Sequence, residues 1–295
     1  MYHAYMRPSD PILVTGASGN VGALVLAGLV GAGASVRAAD LDPQRVAARF
    51  PAVPVVRFDF TDRSTWQAAF GGVQAMFLMR PPQLANIGRD MVPALEAART
   101  AGVEHTVLLS LQGAERNRVV PHAKIEAWLG ASDRSWTFVR PSFFMENLSG
   151  VHAADIRDRD EIVVPAGRGA TAFVAAADVA AMAVAALMEP DGHRNRAWTP
   201  TGPSALTYEQ VAEVLSQELD RPIRYTQPGA LRYARHAHRS LGMPPAMVAV
   251  TTAIYTVARL GRAGRLTDDV ARVTGRPPLS LAAWAHLNRE AWVRR

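Results

Sequence analysis

The first half of the chain alternates short apolar runs with longer stretches in which apolar residues recur at helical spacing. The apolar runs predict six strands, at residues 12–15, 35–40, 53–58, 75–79, 105–110 and 137–140. The stretches between them predict helices at residues 21–30, 43–50, 64–70, 87–101 and 122–130. Strict strand–helix alternation predicts right-handed crossovers, and therefore an α/β fold with a doubly wound parallel sheet.

After residue 141 the alternation loosens and the pattern becomes mainly helical. An alanine-rich stretch at residues 178–189 predicts a helix with Asp178 as its N-terminal cap. A second helix is predicted at residues 207–219, where Thr-Tyr-Glu-Gln matches a capping box. A third is predicted at residues 243–260. We expect this smaller, mainly helical region to cover the mouth of the sheet.

The first apolar run leads into three glycines spaced three residues apart, Gly16, Gly19 and Gly22. In such a strand–turn–helix the glycines allow a tight turn, close approach of a pyrophosphate, and close packing of the helix on the strand. The motif predicts a dinucleotide site at the start of the helix. A glycine-rich turn without a ligand is the alternative. The loop residues that we expect to join the glycines are Ser18, Asn20 and Val21.

Asp40 ends the predicted second strand and is followed by Leu41. A carboxylate at this position accepts hydrogen bonds from the ribose hydroxyls of NAD and repels the 2′-phosphate of NADP. We therefore expect Asp40 and Leu41 to contact the cofactor and NAD(H) to be preferred. NADP(H) stays possible, because Arg37 and Arg45 lie near in sequence. The alternative for Asp40 is a turn or helix-capping residue.

Two further strand ends supply candidate contacts, because ligands of such sheets bind beyond the carboxyl ends of the strands. Asp59 and Phe60 follow the third strand, where we expect them near the adenine. A simple turn aspartate is the alternative for Asp59. Met79 and Arg80 follow the fourth strand and should run beside the cofactor ribose or nicotinamide, with Pro81 towards the substrate.

The candidate catalytic residues are Ser110, His122 and Lys124. Ser110 ends the fifth strand. His122 and Glu126 are four residues apart, so they share a helix face and the carboxylate could orient the imidazole. Lys124, the only lysine, points the opposite way if this turn is helical, and otherwise could reach the nicotinamide ribose. Histidine or lysine could donate a proton to a developing oxyanion. A strand-end serine, a helix-start histidine and a surface lysine are the alternatives.

Residues 140–147 follow the sixth strand, which Pro141 ends. We expect Pro141 and Phe143 to contact the cofactor. Phe144 and Met145 would then add to a hydrophobic wall for the substrate. Ordinary core packing is the alternative, because methionine and phenylalanine are common in cores.

Composition narrows the class of protein. The hydrophobic fraction of 49% is typical of a globular protein, and no apolar run is long enough to span a bilayer. The chain has no cysteine, which excludes disulfides and thiolate catalysis, and no His/Asp/Glu cluster has metal-ligand spacing. The first residues lack a signal-peptide pattern, so we expect a cytoplasmic location, with no membrane partner and no metal.

The net charge of +6 is unevenly distributed. Residues 221–295 contain 13 arginines against three carboxylates, a net of +10. These arginines are scattered through apolar helical patterns without clustered aromatics. They therefore predict a solvated helix surface and not a nucleic-acid partner, with attraction of an anionic ligand as the alternative.

At this point the motifs match a known family. The matching stretches are TGASGNVG, FLMRPP, AGVEHTVLLS, PHAKIEAWLGASDRSWTFVRPSFFMENL, TGPSALTYEQVAEVLSQEL and TDDVARVTGRPP. The chain resembles the NmrA-like atypical short-chain dehydrogenases/reductases, in particular the branch of NAD(P)H:quinone oxidoreductases and azoreductase-like proteins. The resemblance implies a Rossmann core at residues 1–150. It also implies that residues 151–295 complete the sheet and cap a substrate site.

Three departures from the family pattern bear on mechanism. The Tyr-x-x-x-Lys motif of typical short-chain dehydrogenases is absent. The family often has lysine four residues before the position of Glu126, where this chain has His122. Many members have an arginine suited to NADP after the second strand, where this chain has Asp40 and Leu41, which favours NAD(H).

The resemblance implies an oxidoreductase that passes hydride between a nicotinamide cofactor and a small apolar carbonyl, quinone or related conjugated substrate. The alternative is a non-catalytic, dinucleotide-binding redox sensor that binds a protein partner, because the family also contains such regulators and fold alone does not decide function. We expect a monomer or a homodimer.

Overall fold

A computed structural model of the protein describes residues 10–294. The chain forms two compact units. The first contains residues 10–141 together with Ala176–Pro200, and the second contains Ser142–Ala175 together with residues 201–294. Neither unit is a single stretch of chain, because residues 176–200 return to the first unit.

Twelve strands are found in the described residues. In chain order they are β1 Ile12–Thr15, β2 Val36–Asp40, β3 Val55–Arg57, β4 Ala75–Met79, β5 His105–Leu109, β6 Ser135–Val139, β7 Phe143–Phe144, β8 Glu161–Ile162, β9 Thr171–Val174, β10 Arg196–Trp198, β11 Ala205–Leu206 and β12 Arg224–Tyr225.

The same part of the chain contains fourteen α-helices. They are α1 Asn20–Gly31, α2 Pro43–Arg49, α3 Trp66–Phe70, α4 Ile87–Asp90, α5 Val92–Thr100, α6 Pro121–Ala131, α7 Glu146–Ser149, α8 Ala153–Arg159, α9 Ala176–Met188, α10 Tyr208–Leu219, α11 Ala230–Arg239, α12 Pro245–Arg259, α13 Asp269–Thr274 and α14 Leu281–Leu287.

The first unit is built on a seven-stranded sheet in the order β10-β6-β5-β4-β1-β2-β3. Every neighbouring pair is parallel. The strand order reverses direction between β1 and β4, which is the switch point where ligands bind in doubly wound sheets. The predicted α/β fold with a doubly wound parallel sheet is confirmed.

Residues 176–200 supply the first unit with the helix α9 and the edge strand β10. Trp198 pairs with Val139 of β6. α9 packs against α1 so closely that a Cβ at Gly28 would lie 2.9 Å from Cγ2 of Val184. The segment is therefore an integral part of the first unit.

The second unit combines helices with two small sheets, one of order β11-β9-β7 and one that pairs β12 with β8. Its core contains large buried side chains, among them Phe173, Tyr208, Tyr233, Trp284 and Trp292. The core of the first unit is a separate cluster. Each unit therefore buries its own apolar interior.

Two helix predictions need correction. The helix expected at residues 87–101 is broken at Met91 into α4 and α5. Pro93 explains the break, because its ring has no N–H and would clash with the carbonyl of Arg89 in a continuous helix. The predicted cap Asp178 instead lies within the first turn of α9, which begins at Ala176.

Two searches were negative for residues 10–294. No helix in this range is long and apolar enough to cross a membrane. The same residues contain no group of three or more metal-ligating side chains that could hold a metal ion.

Candidate functional site

The glycine loop between β1 and α1 depends on glycine at two positions, for different reasons. Gly16 has φ +62°, and a Cβ there would lie 2.0 Å from Cε of Met79. A Cβ at Gly22 would lie 2.1 Å from the carbonyl oxygen of Gly16. The overlap with a backbone atom excludes a side chain at Gly22. At Gly16 the end of the Met79 side chain could move aside, and glycine is favoured there by the positive φ.

No side chain of the described residues caps the N-terminus of α1. Gly19 precedes the helix, and its N–H donates to the carbonyl of Gly16 at 3.0 Å. The first N–H groups of a helix have no partner within the helix, so they are available to an anion. Val21 is buried and offers only its backbone there, whereas Asn20 is exposed.

Asp40 joins the end of β2 to the glycine loop. Its Oδ2 accepts a hydrogen bond from the Ser18 N–H at 2.8 Å, and its Oδ1 accepts one from the Asp42 N–H at 3.1 Å. Asp40 is 9% exposed. A carboxylate has about four lone-pair positions, so both oxygens can still accept bonds from the hydroxyls of a ribose.

The two arginines near Asp40 differ in position. The Arg37 guanidinium donates to the carbonyls of Ala69 at 3.0 Å and Gly71 at 2.7 Å. These hydrogen bonds hold Nη1 of Arg37 in place, and compensation of Asp40 by Arg37 stays a prediction. Arg45 and Leu41 are exposed.

The residues after β3 form a tight turn. Oδ1 of Asp59 accepts hydrogen bonds from both the N–H and the hydroxyl of Thr61, at 2.8 and 2.7 Å. Phe60 is buried and packs edge-to-face on Phe58 with ring centroids 4.7 Å apart. Phe60 can therefore meet a ligand through its backbone but not through its ring.

The residues after β4 are held in place by hydrogen bonds between side chains and main-chain groups. The Met79 N–H donates to Oγ1 of Thr15 at 3.0 Å. The Arg80 guanidinium donates to the carbonyls of Pro81, Pro82 and Leu84. Burial lowers the pKa of Arg80 from its usual value. Arg80 thus holds the loop that contains Pro81 in one conformation.

His122 is half-buried near the start of α6, and its Nδ1 has no hydrogen-bond partner within residues 10–294. Burial, together with the nearby charge of Arg80, lowers the pKa of His122 to about 4. The imidazole is therefore neutral at pH 7. Lys124 lies in the same helical turn but is exposed.

Glu126 does not orient His122. Its carboxylate accepts a hydrogen bond from Oγ of Ser110 at 2.5 Å and two from Arg140, from Nε at 2.9 Å and Nη2 at 2.7 Å. The predicted pairing of Glu126 with His122 is therefore wrong. The guanidinium at the end of β6 is the stronger partner, because it offers two parallel charged donors. Ser110 and Glu126 are both buried.

The residues that follow β6 divide between the two units. Pro141 ends the first unit, and its carbonyl accepts a bond from the Gln112 N–H at 3.0 Å. Phe143 and Phe144 form β7 in the second unit and are half-buried. Met145 is 1% exposed and lies in the core of that unit, so it can support a ligand-binding wall only from behind.

The second unit contains a cavity of about 380 Å³. Its lining is mainly apolar, with a few polar atoms, which is typical of sites for small organic ligands. The lining residues are Phe143, Asn147, Val151, His152, Leu241, Met243, Met247, Thr251, Ile254 and Tyr255.

Two of these residues form a buried polar pair that our sequence reasoning missed. His152 Nε2 lies 2.6 Å from the hydroxyl of Tyr255. The two residues are 103 positions apart, so no local spacing connects them. No local signal marked either residue, because Tyr255 is one of several aromatic and apolar residues of the predicted helix at residues 243–260.

Together, the parallel sheet, the glycine loop and the carboxylate at the end of β2 define a dinucleotide-binding α/β protein. A model of the NmrA-like family matches residues 8–238. The chain is also 34% identical to an NAD(P)H azoreductase of Xenophilus azovorans, an alignment that covers 95% of this chain and 99% of the relative. The chain therefore belongs to the NmrA-like family, and these relatives class it with the NAD(P)-dependent oxidoreductases.

Two further comparisons extend over nearly the whole chain. The (4-alkanoyl-5-oxo-2,5-dihydrofuran-3-yl)methyl phosphate reductase of Streptomyces griseus is 34% identical, covering 96% of this chain and 99% of the relative. The crystal structure of an NADPH-dependent quinone oxidoreductase from Escherichia coli superimposes with a TM-score of 0.79 at 26% identity, covering 94% of this chain and 99% of that chain.

Proposed function

We propose that this protein reduces a small, mainly apolar, conjugated carbonyl compound or quinone at the expense of NADH. The first unit binds the cofactor and the second binds the acceptor. The observation that carries the proposal is the glycine loop, in which Gly16 has a positive φ, Gly22 has no room for a side chain, and Asp40 accepts a hydrogen bond from the Ser18 N–H.

The residues of the first unit fit a nicotinamide dinucleotide. The uncapped first turn of α1 suits the pyrophosphate, and the oxygens of Asp40 suit the adenosine ribose. Asp59 and the backbone of Phe60 suit the adenine. Met79, Arg80 and Pro141 suit the nicotinamide half of the dinucleotide. When bound, the reduced nicotinamide supplies a hydride to an acceptor.

A preference for NADH over NADPH follows from charge. Asp40 is nearly buried, and the Arg37 guanidinium is held elsewhere by the carbonyls of Ala69 and Gly71. A 2′-phosphate beside Asp40 would therefore meet a carboxylate without a compensating charge from Arg37. Arg45 is exposed and could still reach a phosphate, so NADPH is the weaker alternative.

The acceptor class is supported by the relatives. Their names describe the reduction of azo compounds, of quinones and of an unsaturated lactone, and each of these acceptors is conjugated. In the reduction of a quinone the acceptor gains one hydride from the cofactor and one proton from water. The products are then the quinol and NAD⁺, which balances the two electrons transferred.

Among the three candidate catalytic residues we favour His122. Its free Nδ1 can form a hydrogen bond to the nascent oxygen, whereas the Ser110 hydroxyl proton already bonds Glu126. Because the imidazole is neutral at pH 7, it acts as a hydrogen-bonding group. Lys124 is exposed and stays the alternative source of a proton. Ser110 is better suited to positioning Glu126 and Arg140.

The test is a titration of the purified protein with NADH and NADPH by calorimetry, followed by NADH consumption with 2-methyl-1,4-naphthoquinone. We expect tighter binding of NADH and turnover with the quinone. Binding of NADH without turnover across a panel of quinones, azo dyes and enones would contradict the enzyme and favour a redox sensor. Preference for NADPH would contradict the assignment of Asp40.

A further inference from the structure

The cavity of the second unit has one polar corner in an otherwise apolar lining. Apolar side chains provide most of its surface, among them Phe143, Met247 and Ile254. The His152–Tyr255 pair lies at this lining and is almost fully buried, with exposures of 1% and 4%. A cavity of this kind suits an apolar ring system that carries an oxygen atom.

Ring packing holds Tyr255 in one orientation. The centroid of its ring lies 5.5 Å from that of Tyr233 and 5.7 Å from that of Phe143. The contact with Tyr233 is edge-on and the contact with Phe143 is tilted, and together they constrain the tyrosine ring. The hydroxyl of Tyr255 is therefore preorganised, and only rotation of its hydrogen decides where it donates.

The hydrogen-bond inventory of His152 decides that direction. Its Nε2 contacts the Tyr255 hydroxyl, whereas its Nδ1 is buried without a partner among residues 10–294. A neutral imidazole has one N–H. Since a buried N–H without an acceptor is more rarely tolerated than an unused lone pair, the proton is best placed on Nε2. Nε2–H then donates to the tyrosine oxygen. The hydroxyl of Tyr208, whose ring packs edge-on against that of Tyr255, also hydrogen-bonds Tyr255. With Tyr208 as the donor in that bond, the Tyr255 O–H is left to donate elsewhere.

We propose that this cavity binds the acceptor and that the Tyr255 hydroxyl donates a hydrogen bond to a carbonyl oxygen of that acceptor. His152 is a positioning residue, which fixes the direction of the hydroxyl. The identity of the occupant as the acceptor rests on the proposed reductase function. The inference that the cavity binds an apolar carbonyl compound does not depend on that function.

The protonation states agree with this assignment. Burial, with the neighbouring charge of His236 as a smaller cause, lowers the pKa of His152 to about 4, so the ring is neutral at pH 7. Burial raises the pKa of Tyr255 well above its usual range. Tyr255 therefore keeps its proton and binds the carbonyl as a donor, while the proton consumed by the reaction comes from water.

The first experiment measures binding to the protein without cofactor, by calorimetry. The probes are 2-methyl-1,4-naphthoquinone and 2-methylnaphthalene, which share a ring system but differ in the two carbonyl oxygens. We expect the wild type to prefer the quinone, and Tyr255→Phe to lose about 5- to 10-fold in affinity for the quinone alone, the value of one hydrogen bond. Tyr225→Phe is the control, because it removes a partly buried tyrosine hydroxyl of the same unit that bonds the Val164 carbonyl and does not line the cavity.

Three results would overturn the proposal. If neither probe binds the wild type, the cavity is not a site for such ligands. If Tyr255→Phe weakens both probes equally, the hydroxyl supports the shape of the cavity and not a carbonyl. If Tyr255→Phe keeps the full preference for the quinone, another donor such as Asn147 or Thr251 recognises it.

The second experiment tests the positioning role of His152. His152→Gln keeps an N–H donor at the position of Nε2, and His152→Leu removes it. We expect the Gln variant to keep most of the preference for the quinone and the Leu variant to lose it. Combining His152→Leu with Tyr255→Phe should cost no more than Tyr255→Phe alone, because one residue acts through the other. Additive losses would contradict this coupling.

Failure of this inference and failure of the proposed function give different results. Selective quinone binding that depends on Tyr255, without any NADH oxidation, would support the site and reject the reductase. NADH oxidation that is unchanged in Tyr255→Phe, with unchanged KM for the quinone, would support the reductase and reject the site.

Discussion

Both units bury a titratable side chain in a polar contact, but they satisfy it differently. In the first unit, the Glu126 carboxylate receives three hydrogen bonds, one from Ser110 and two from Arg140. In the second unit, His152 uses one ring nitrogen on Tyr255 and leaves the other without a partner in the described structure. The first network is satisfied, and the second is not.

This difference separates a structural network from a ligand-binding one. A buried polar atom without a partner costs about 1–3 kcal/mol, so it is unfavourable unless something compensates. The His152–Tyr255 pair borders a cavity of about 380 Å³, where a ligand can complete its hydrogen bonding. In the first unit, His122 also has a ring nitrogen, Nδ1, without a partner among the described residues. That is the reason we favour it as a functional group.

The largest expected effect comes from breaking the satisfied network. Glu126→Ala should reduce the free energy of unfolding by about 3–5 kcal/mol, because it leaves the partly buried Arg140 guanidinium without its main partner. Urea denaturation followed by circular dichroism measures this change. The control is Glu96→Ala, which breaks an exposed pair with Arg99 and should cost far less, because solvent screens exposed ion pairs. Equal costs for the two variants would contradict a structural role for Glu126.

The cofactor site of the first unit depends on backbone and not on spare side-chain atoms. Gly22→Ala should weaken NADH binding about 100-fold, equivalent to about 2.7 kcal/mol, since the new Cβ would overlap the Gly16 carbonyl. Gly31→Ala is the control, because a Cβ there meets nothing within 4 Å. Calorimetric titration of both variants tests this. Unchanged NADH affinity in Gly22→Ala would show that the loop does not hold the cofactor.

Because His152 is buried and neutral, the stability of the folded protein should depend on pH. The pKa of His152 is lowered to about 4 by burial, whereas in the unfolded chain it is about 6.5. Between these values the unfolded state binds more protons, so stability is complete above pH 6.5 and falls as the pH decreases towards 4. His152 should contribute about 1.5 kcal/mol of the loss between pH 6.5 and pH 5.

Urea denaturation of wild type and His152→Gln at pH 7.5, 6.5, 5.5 and 5.0 measures this contribution. His105 and His122 are also held neutral, with pKa values lowered to about 4, so the variant should keep a slope that is reduced but not abolished. His286→Gln, at an exposed position, controls for loss of a histidine. An unchanged slope in His152→Gln would mean that His152 is protonated in the folded protein.

The smallest expected effect concerns cofactor choice. Asp40→Asn should weaken NADH about 10-fold and reduce the discrimination against NADPH, because it removes the charge but keeps a polar side chain. Asp42→Asn is the control, since Asp42 caps α2 and asparagine caps equally well. Binding of both cofactors to both variants provides the readout. A preference that does not change in Asp40→Asn would locate selectivity elsewhere.

Local signals predicted the parts of the molecule that local physics determines. The strand–glycine–helix at residues 12–31 and the carboxylate at the end of β2 depend on short-range geometry. The capping box at Thr207 is also confirmed, since the Thr207 hydroxyl and the Gln210 side chain bond each other's backbone N–H. In the glycine turn and the capping box neighbouring residues supply both partners of the interaction. Asp40 was identified from its place at the strand end, and its partner Ser18 lies 22 residues away.

The errors arose where a distant residue supplied a better partner. Spacing alone predicted a hydrogen bond between Glu126 and His122, but Arg140, at the end of the neighbouring strand, binds the carboxylate instead. Spacing could not pair His152 with Tyr255 either, because they come from different helical segments of the second unit. Residues one helical turn apart can be identified as possible hydrogen-bond partners. Which of them form the bond depends on whether the folded structure brings a stronger partner close to either one.

The return of residues 176–200 to the first unit has a consequence for synthesis of the protein. α9 covers α1, and β10 completes the edge of the sheet beside β6. A nascent chain that ends at residue 141 therefore lacks a helix and a strand of its nucleotide-binding unit. At about 5–20 residues per second, the ribosome needs roughly 3–12 s to extend the chain from residue 141 to residue 200. During that time the unfinished sheet edge and the apolar face of α1 are exposed to chaperones and proteases.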